Sequence, residues 1–359
     1  FDISPLHDRE RDEGYRTTVL GELRKTSFPK NSHGSNTSEY ICKLVALAEP
    51  PNEGEASFCT GDEATILVES TPDHNSPIFT KGQQPFQWTK GDRPIVQFLR
   101  RIALLDKMVS VQVPSRPITE ESYEPRQLSE IRDLFLANKP SDDPVNLLDL
   151  HNPLTCTVPY FLTGENCQLL SQVRDTILNE YSAERIVASK DQWNQWRNVL
   201  EGALLSQGGH TTTVHEDGPY ATWLTVQEGL VGVGWMAHPT DQERNEWREK
   251  PTSYTGGRWR YVVLEPGWSI FFYPGTIHFV FRARARQTLS FTGHILQWSG
   301  IERWMHVVLV QMKNPSITNE DVKLSAPQLV RAVSTLVKAR KESGEVELAG
   351  GETAIRQFF

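Results

Sequence analysis

His215 and Asp217 stand two residues apart in the run TTTVHED (211–217). In a β-strand, residues two apart point to the same face, so this imidazole and this carboxylate can approach one metal ion. Glu216, which lies between them, is then expected to point away. With 10 histidines and 45 acidic residues in the chain, such a pair also arises by chance. A metal site is predicted only if a third ligand accompanies the pair.

His278 is the candidate third ligand, because it lies near the end of the same β-rich region and follows Tyr273-Pro274-Gly275. Two histidines and one carboxylate on one side of an ion form the facial triad of non-haem Fe(II) oxygenases. That arrangement leaves positions open for a co-substrate and O₂. The sequence therefore predicts Fe(II) at His215, Asp217 and His278. The other histidines fit a metal site less well, among them His210, His238 and His306.

The elements that must position these residues change character along the chain. Residues 210–298 form short β-rich runs separated by breaks rich in Gly, Pro and Asp, which is typical of a barrel or jelly roll. Apolar residues at helical spacing predict helices elsewhere, and polar punctuation predicts loops over 28–39 and 49–55. The helices are predicted over 93–108, 127–138, 166–182, 190–205 and 327–341.

The expected fold class is α+β, a jelly roll with flanking helices. We divide the chain into a mixed N-terminal region (1–144), a jelly roll (145–300) and a C-terminal helical extension (301–359). The net charge of −8 argues against direct binding of nucleic acid. No apolar run approaches the length of a membrane span, so no membrane association is expected. Four scattered cysteines suit a reducing compartment and disfavour a zinc finger.

Several short motifs together resemble the JmjC family. Thr212-x-x-His215-x-Asp217, followed by Gly229 and by the strand that ends at Trp235, is similar to the first half of a JmjC domain. Gly267, Pro274 and His278, followed by TLSFTGHIL (288–296), are similar to the second half of a JmjC domain. LLDL (147–150) is similar to the leucine-rich lead-in of that family. The resemblance covers about residues 145–300.

This resemblance implies a fold, a chemistry and a class of partner. The fold would be a double-stranded β-helix, a cupin-like jelly roll that holds the metal inside its mouth. Members of the JmjC family bind Fe(II) and 2-oxoglutarate, and many of them remove methyl groups from histone lysines. The chain would then act on a protein, with a histone tail as the expected substrate, and would lie in the nucleus. Thr212 matches the hydroxyl donor to 2-oxoglutarate, and His294 takes a place where relatives often have asparagine.

One departure concerns the far carboxylate of 2-oxoglutarate, which needs a cation because a buried unpaired carboxylate is costly. The family's lysine falls at Val231 or Val233, and no Lys or Arg occurs between His215 and Arg244. Three alternatives follow. Another cation replaces the lysine, from the run HFVFRARARQTLSF (278–291) that carries Arg282, Arg284 and the favoured Arg286, or the site binds another ligand, or the domain is an inactive scaffold for chromatin or protein interactions. A cupin-like metalloprotein with a small-molecule substrate is a further alternative.

Overall fold

The computed structural model of the protein describes residues 8–25, 28–29, 32–71, 74–102, 107–115, 123–183, 190–318 and 320–347. Its helices are α1 Arg9–Leu23, α2 His33–Leu47, α3 Gly61–Ser70, α4 Pro94–Arg101, α5 Leu128–Ala137, α6 Leu169–Ala183, α7 Lys190–Leu200, α8 Asp241–Glu249, α9 Ile301–Lys313 and α10 Val322–Ser343. Its strands are β1 Ser57–Phe58, β2 Ile78–Lys81, β3 Met108–Gln112, β4 Tyr123–Gln127, β5 Asn146–His151, β6 Gly202–Ser206, β7 Thr212–His215, β8 Ala221–Glu228, β9 Val231–Met236, β10 Trp259–Leu264, β11 Trp268–Phe272, β12 His278–Phe281 and β13 Thr288–Ile295.

These strands form two sheets, and the protein belongs to the α+β class. A nine-stranded sheet has the order β1-β2-β11-β8-β13-β6-β5-β3-β4, and a four-stranded sheet has the order β10-β9-β12-β7. Neighbouring strands are antiparallel except β1 and β2, which are parallel. The predicted boundary at residue 145 falls within the larger sheet, since strands on both sides of it contribute. The three-part division stays a prediction.

The two sheets pack face to face, because one apolar cluster contains buried side chains from both. From the larger sheet it includes Val226, Ile270 and Phe272, and from the smaller sheet Val231 and Val233. The outer face of the smaller sheet is covered by α1 and α2, and the outer face of the larger sheet by α3, α4 and α5. A further cluster joins α6, α9 and α10. No helix in the described ranges has both the length and the apolar character needed to cross a membrane.

Two glycines on β9 let β12 lie close beside it. A Cβ atom at Gly232 would collide with the Phe281 ring, and one at Gly234 with the Phe279 ring. Both phenyl rings belong to the cluster on the outer face of the smaller sheet. Since side chains alternate along a strand, His278 on β12 must face the space between the sheets.

Most predicted strands between 210 and 298 are present, but three predictions elsewhere were wrong in part. The predicted loop at 28–39 contains the start of α2, where the Ser32 hydroxyl accepts a hydrogen bond from the Ser35 backbone N–H. The helix predicted over 190–205 ends at Leu200, and Gly202–Ser206 is β6, because this segment pairs with strands on both sides. The helix predicted over 93–108 ends at Arg101, residues 103–106 lie outside the described residues, and Met108 begins β3.

Candidate metal centre

The pairing of β7 with β12 brings the two predicted histidine ligands together. His278 and His215 are directly opposite partners in this antiparallel pair, and their ring centroids lie 4.3 Å apart. Asp217 lies two residues beyond His215 and completes the group. One candidate ligand atom from each of the three residues lies within 4.8 Å of the others. The structure therefore brings together the three residues that the sequence nominated.

The carboxylate of Asp217 lies between the two imidazoles. Its Oδ1 atom is 3.3 Å from Nε2 of His215, and its Oδ2 atom is 3.6 Å from Nε2 of His278. Both Nε2 atoms thus face the same small space as the carboxylate. Nitrogen and oxygen donors of this kind suit Fe(II), Zn(II) and other divalent transition metals.

Backbone carbonyls fix the tautomer of each histidine. His215 Nδ1 lies 2.8 Å from the carbonyl oxygen of Thr213, and His278 Nδ1 lies 3.0 Å from that of Thr276. A carbonyl oxygen can only accept, so each Nδ1–H must be the donor. Each neutral ring then keeps its proton on Nδ1 and offers a free lone pair on Nε2. This is the usual arrangement of a metal-binding histidine.

Burial and mutual charge set the ionisation of the group. Burial acts to raise the pKa of Asp217, but the charges of His278 and His215 and the His215 hydrogen bond outweigh it, so the pKa of Asp217 is lowered. Burial lowers the pKa of His278 to about 4 despite the attraction of Asp217. For His215, burial is outweighed by Asp217, which raises the pKa of that imidazole. An ionised Asp217 and a neutral His278 are the forms that bind a cation. The hydrogen bond to Asp217 favours the protonated form of His215, so this residue would release its Nε2 proton when a cation binds.

Glu216 points away from the metal centre, as strand alternation predicts. Its side chain is buried, and its Oε2 atom accepts a hydrogen bond from Nε2 of Gln311 on α9 at 3.3 Å. The same Gln311 amide donates to the backbone carbonyl of Asp217 at 2.7 Å. Burial raises the pKa of Glu216. The first helix of the C-terminal region therefore holds the backbone of a candidate ligand in place.

Thr212 lies on the same face as His215 because β7 contains an irregularity. From His278 to Val280, β12 advances two residues, whereas its partners on β7, His215 and Thr212, are three residues apart. One extra residue on β7 is the signature of a β-bulge. Thr212 is therefore beside Val280, and it is partly exposed.

His294 on β13 lies close enough to Asp217 for its charge to contribute to the lowered pKa of that carboxyl. Its Nδ1 atom is 3.1 Å from Oγ1 of Thr222, and its ring centroid is 5.7 Å from that of Tyr220. His294 thus belongs to the surroundings of the triad. Thr222, which is hydrogen-bonded to it, was not nominated from the sequence.

The positions considered for the cation that would bind 2-oxoglutarate differ in their burial. Val231 and Val233 are fully buried in the apolar cluster between the sheets. Arg286 is exposed in the turn that joins the far end of β12 to β13, so the structure does not group it with the triad. Arg282, in contrast, is buried, with 4% of its surface exposed. Strand alternation from His278 applies equally to Arg282, Arg284 and Arg286, so burial, and not the sequence pattern, distinguishes Arg282.

Comparison with known proteins does not assign the chain to a family. No family model matches it, and no curated protein matches it either. Among solved structures, it is similar to Drosophila melanogaster CENP-C bound to CAL1, with 15% identity and a TM-score of 0.21. That match covers 26% of this chain and 63% of the other, so the chain spans less than two thirds of that relative. A likeness at this TM-score carries no argument about fold or function.

Proposed function

We propose that this protein is an Fe(II)- and 2-oxoglutarate-dependent oxygenase of the JmjC type, built on a double-stranded β-helix. The strand order supports this fold. Four neighbours in the larger sheet are β11-β8-β13-β6, and they face β10-β9-β12-β7. Between β6 and β13 the chain passes from one sheet to the other at nearly every step. Such crossing between two antiparallel sheets is how a jelly roll is wound.

The observation that carries the proposal is the group of His215, Asp217 and His278, with both Nε2 atoms and the carboxylate facing one space. These three side chains would hold Fe(II) on one side of the ion. Fe(II) and 2-oxoglutarate held there would supply the hydroxylation of a substrate C–H bond by O₂: one oxygen atom would enter the C–H bond, and the other would enter the succinate that forms, together with CO₂, from 2-oxoglutarate. No acid or base from the chain is required for that chemistry.

The chain's own contribution is positioning and exclusion of water. The carbonyls of Thr213 and Thr276 hold the two imidazoles in the ligating tautomer. The ring of Phe272, whose centroid lies 4.7 Å from that of His278, covers one histidine with apolar surface. Gln311 fixes the backbone at Asp217. Because these side chains are already held in place, little conformational entropy is lost when a metal binds.

We propose a methylated lysine of a histone tail as the substrate and the nucleus as the location, both on the strength of the sequence resemblance. Hydroxylation of an N-methyl group releases formaldehyde and leaves a lysine with one methyl fewer. The test is mass spectrometry of methylated histone peptides incubated with the protein, Fe(II) and 2-oxoglutarate. A loss of methyl groups that requires 2-oxoglutarate, and that does not occur with His278→Ala, would support the activity. Unchanged peptides alongside stoichiometric iron would contradict it.

The alternative function is a catalytically inactive JmjC module that acts as a scaffold for protein or chromatin interactions. The specific observation in its favour is the burial of Val231 and Val233, which leaves no cation at either position of the family's lysine. This alternative predicts a folded protein that binds metal and shows no saturable response to 2-oxoglutarate.

A further inference from the structure

The space between the sheets has one polar wall, formed by β13. Leu289, Phe291 and Ile295 belong to the apolar cluster on the outer side of the larger sheet. The alternate residues therefore face inward, and they are Thr288, Ser290, Thr292 and His294. The opposite half of the same space is lined by the valines and aromatic rings of β9, β10 and β11. A polar row thus runs from His294, beside the metal centre, to Thr288 at the far end.

Arg282 lies at the far end of this row. It follows His278 by four residues on the same face of β12 and its continuation. The register of β12 with β9 pairs His278 with Trp235 and Phe281 with Gly232. Continuing this register by one residue past the end of β12 would place Arg282 opposite Val231 on the neighbouring strand. Val231 is one of the two positions that the sequence resemblance marks for lysine.

The guanidinium of Arg282 is buried, and it forms no ion pair with any residue that the structure describes. Its Nε atom donates to Oγ1 of Thr288 at 3.0 Å, and its Nη1 atom donates to the carbonyl oxygen of His210 at 3.5 Å. No carboxylate within the described ranges comes within salt-bridge distance of it. Burial lowers the pKa of Arg282 to about 10. A buried cation left unpaired is costly, so such a site favours an anion.

Nearby nitrogen atoms also lack partners. Nδ1 of His210 and Nε2 of Gln207 are both buried and have no hydrogen-bond partner in the described part of the chain. The backbone N–H of His210 donates to the carbonyl of Gln207, so the two residues are adjacent. Burial, together with the charge of Arg282, lowers the pKa of His210, which keeps its ring neutral. Among the described residues, the Gln207 amide is therefore a further buried donor that has no acceptor.

We propose that Arg282, supported by Thr288, binds the second carboxylate of a dicarboxylic keto acid whose other end chelates the metal. The inference rests on the proposed function and names the residue that replaces the lysine. Arg286 in its exposed turn has no part in it. The hydroxyl row of β13 would lie along the chain of the acid between the two ends.

Calorimetric titration of the metal-loaded protein under anaerobic conditions tests this assignment with two acids. 2-Oxoglutarate carries the second carboxylate, and pyruvate offers the same keto acid group without it. The wild type should bind 2-oxoglutarate more tightly than pyruvate. Arg282→Met should weaken 2-oxoglutarate binding roughly 10- to 100-fold, the worth of a charged hydrogen bond, and leave pyruvate binding unchanged. Arg286→Met is the matched control and should behave as the wild type.

Thermal unfolding of the apo proteins separates this role from a structural one. Arg282→Met removes an unpaired buried charge, so it should melt no lower than the wild type. Arg282→Gln keeps donors for Thr288 and the His210 carbonyl, and it provides a second neutral variant with the same expected loss. The double variant Val231→Lys/Arg282→Met should recover part of the preference for 2-oxoglutarate.

The outcomes distinguish a failure of the Arg282 assignment from a failure of the proposed function. Saturable 2-oxoglutarate binding that is equal in wild type and Arg282→Met overturns this assignment and leaves the oxygenase proposal standing. An equal loss of both acids in Arg282→Met and Arg282→Gln also overturns it, because the variants would then have damaged the metal end. Bound metal with no binding of either acid to the wild type overturns the proposed function itself.

Discussion

Changing His278 to alanine should abolish the stabilisation of the protein by a divalent metal. The three ligands are held together in the folded chain and are separated when it unfolds, so metal binds the native state and adds to its stability. At a free metal concentration one hundred times the dissociation constant, the added free energy of unfolding is about 2.7 kcal/mol. For a chain of 359 residues, that corresponds to a rise of about 4 °C in the melting temperature.

The alanine variant also loses packing, so the melting temperature alone is ambiguous. The His278 ring is 5% exposed and lies against Phe272, so its removal costs roughly 1–3 kcal/mol even without metal. The informative quantity is the difference between the melting temperatures with and without metal. Differential scanning calorimetry under anaerobic conditions with Fe(II), or in air with Mn(II), measures it directly.

The matched control is His306→Ala, which removes an exposed histidine of α9 outside the triad. It should keep the full metal-induced rise, while His278→Ala shows none. An equal rise in His278→Ala and the wild type would place the metal elsewhere and refute the ligand assignment. A wild type that metal does not stabilise would refute it as well.

Two further predictions concern the frame of the site. Gly293→Ala should lower the free energy of unfolding by about 3 kcal/mol in urea titrations, because the new Cβ would collide with the Leu200 carbonyl, whereas Gly14→Ala, in open space on α1, should be neutral or slightly stabilising. Glu55→Gln should cost about 3 kcal/mol at pH 7, since it breaks the buried pair that Glu55 forms with Arg260 at 2.5 and 3.1 Å. Burial acts to raise the pKa of Glu55, but Arg260 lowers it overall below the usual 4.5, so the wild type's advantage is complete above that pH and shrinks as pH falls below it. A cost that does not vary with pH would show that the charge of Glu55 is not what stabilises the pair.

The candidate ligands could be predicted from the sequence because their geometry is local. His215 and Asp217 share a face through the two-residue period of a strand, and the strand that carries His278 is marked by its run of aromatic and β-branched residues. The position of Thr212 depends on a bulge, which reverses the expected face without any sign in the sequence. The motif resemblance indicated that face, and strand alternation alone did not.

Other features depend on distant parts of the chain. Gly202–Ser206 continues a helical pattern locally, and it is a strand only because β13 and β5 lie on either side of it. The start of α2 was hidden in a polar segment whose cap is a single serine, Ser32. Arg282, Arg284 and Arg286 all lie an even number of residues after His278, so strand alternation does not distinguish them, and the sequence favoured Arg286. The burial that distinguishes Arg282 from Arg286 comes from packing between the sheets.

The most direct test of the central claim is an anaerobic titration of the Fe(II)-loaded protein with 2-oxoglutarate, followed by visible absorption. Chelation of Fe(II) by the keto acid produces a charge-transfer band. The oxygenase proposal predicts one iron per chain and a saturable band in the wild type, and neither iron nor a band in His215→Ala. Stoichiometric iron in the wild type with no band at any concentration of 2-oxoglutarate would contradict the oxygenase proposal and favour the scaffold.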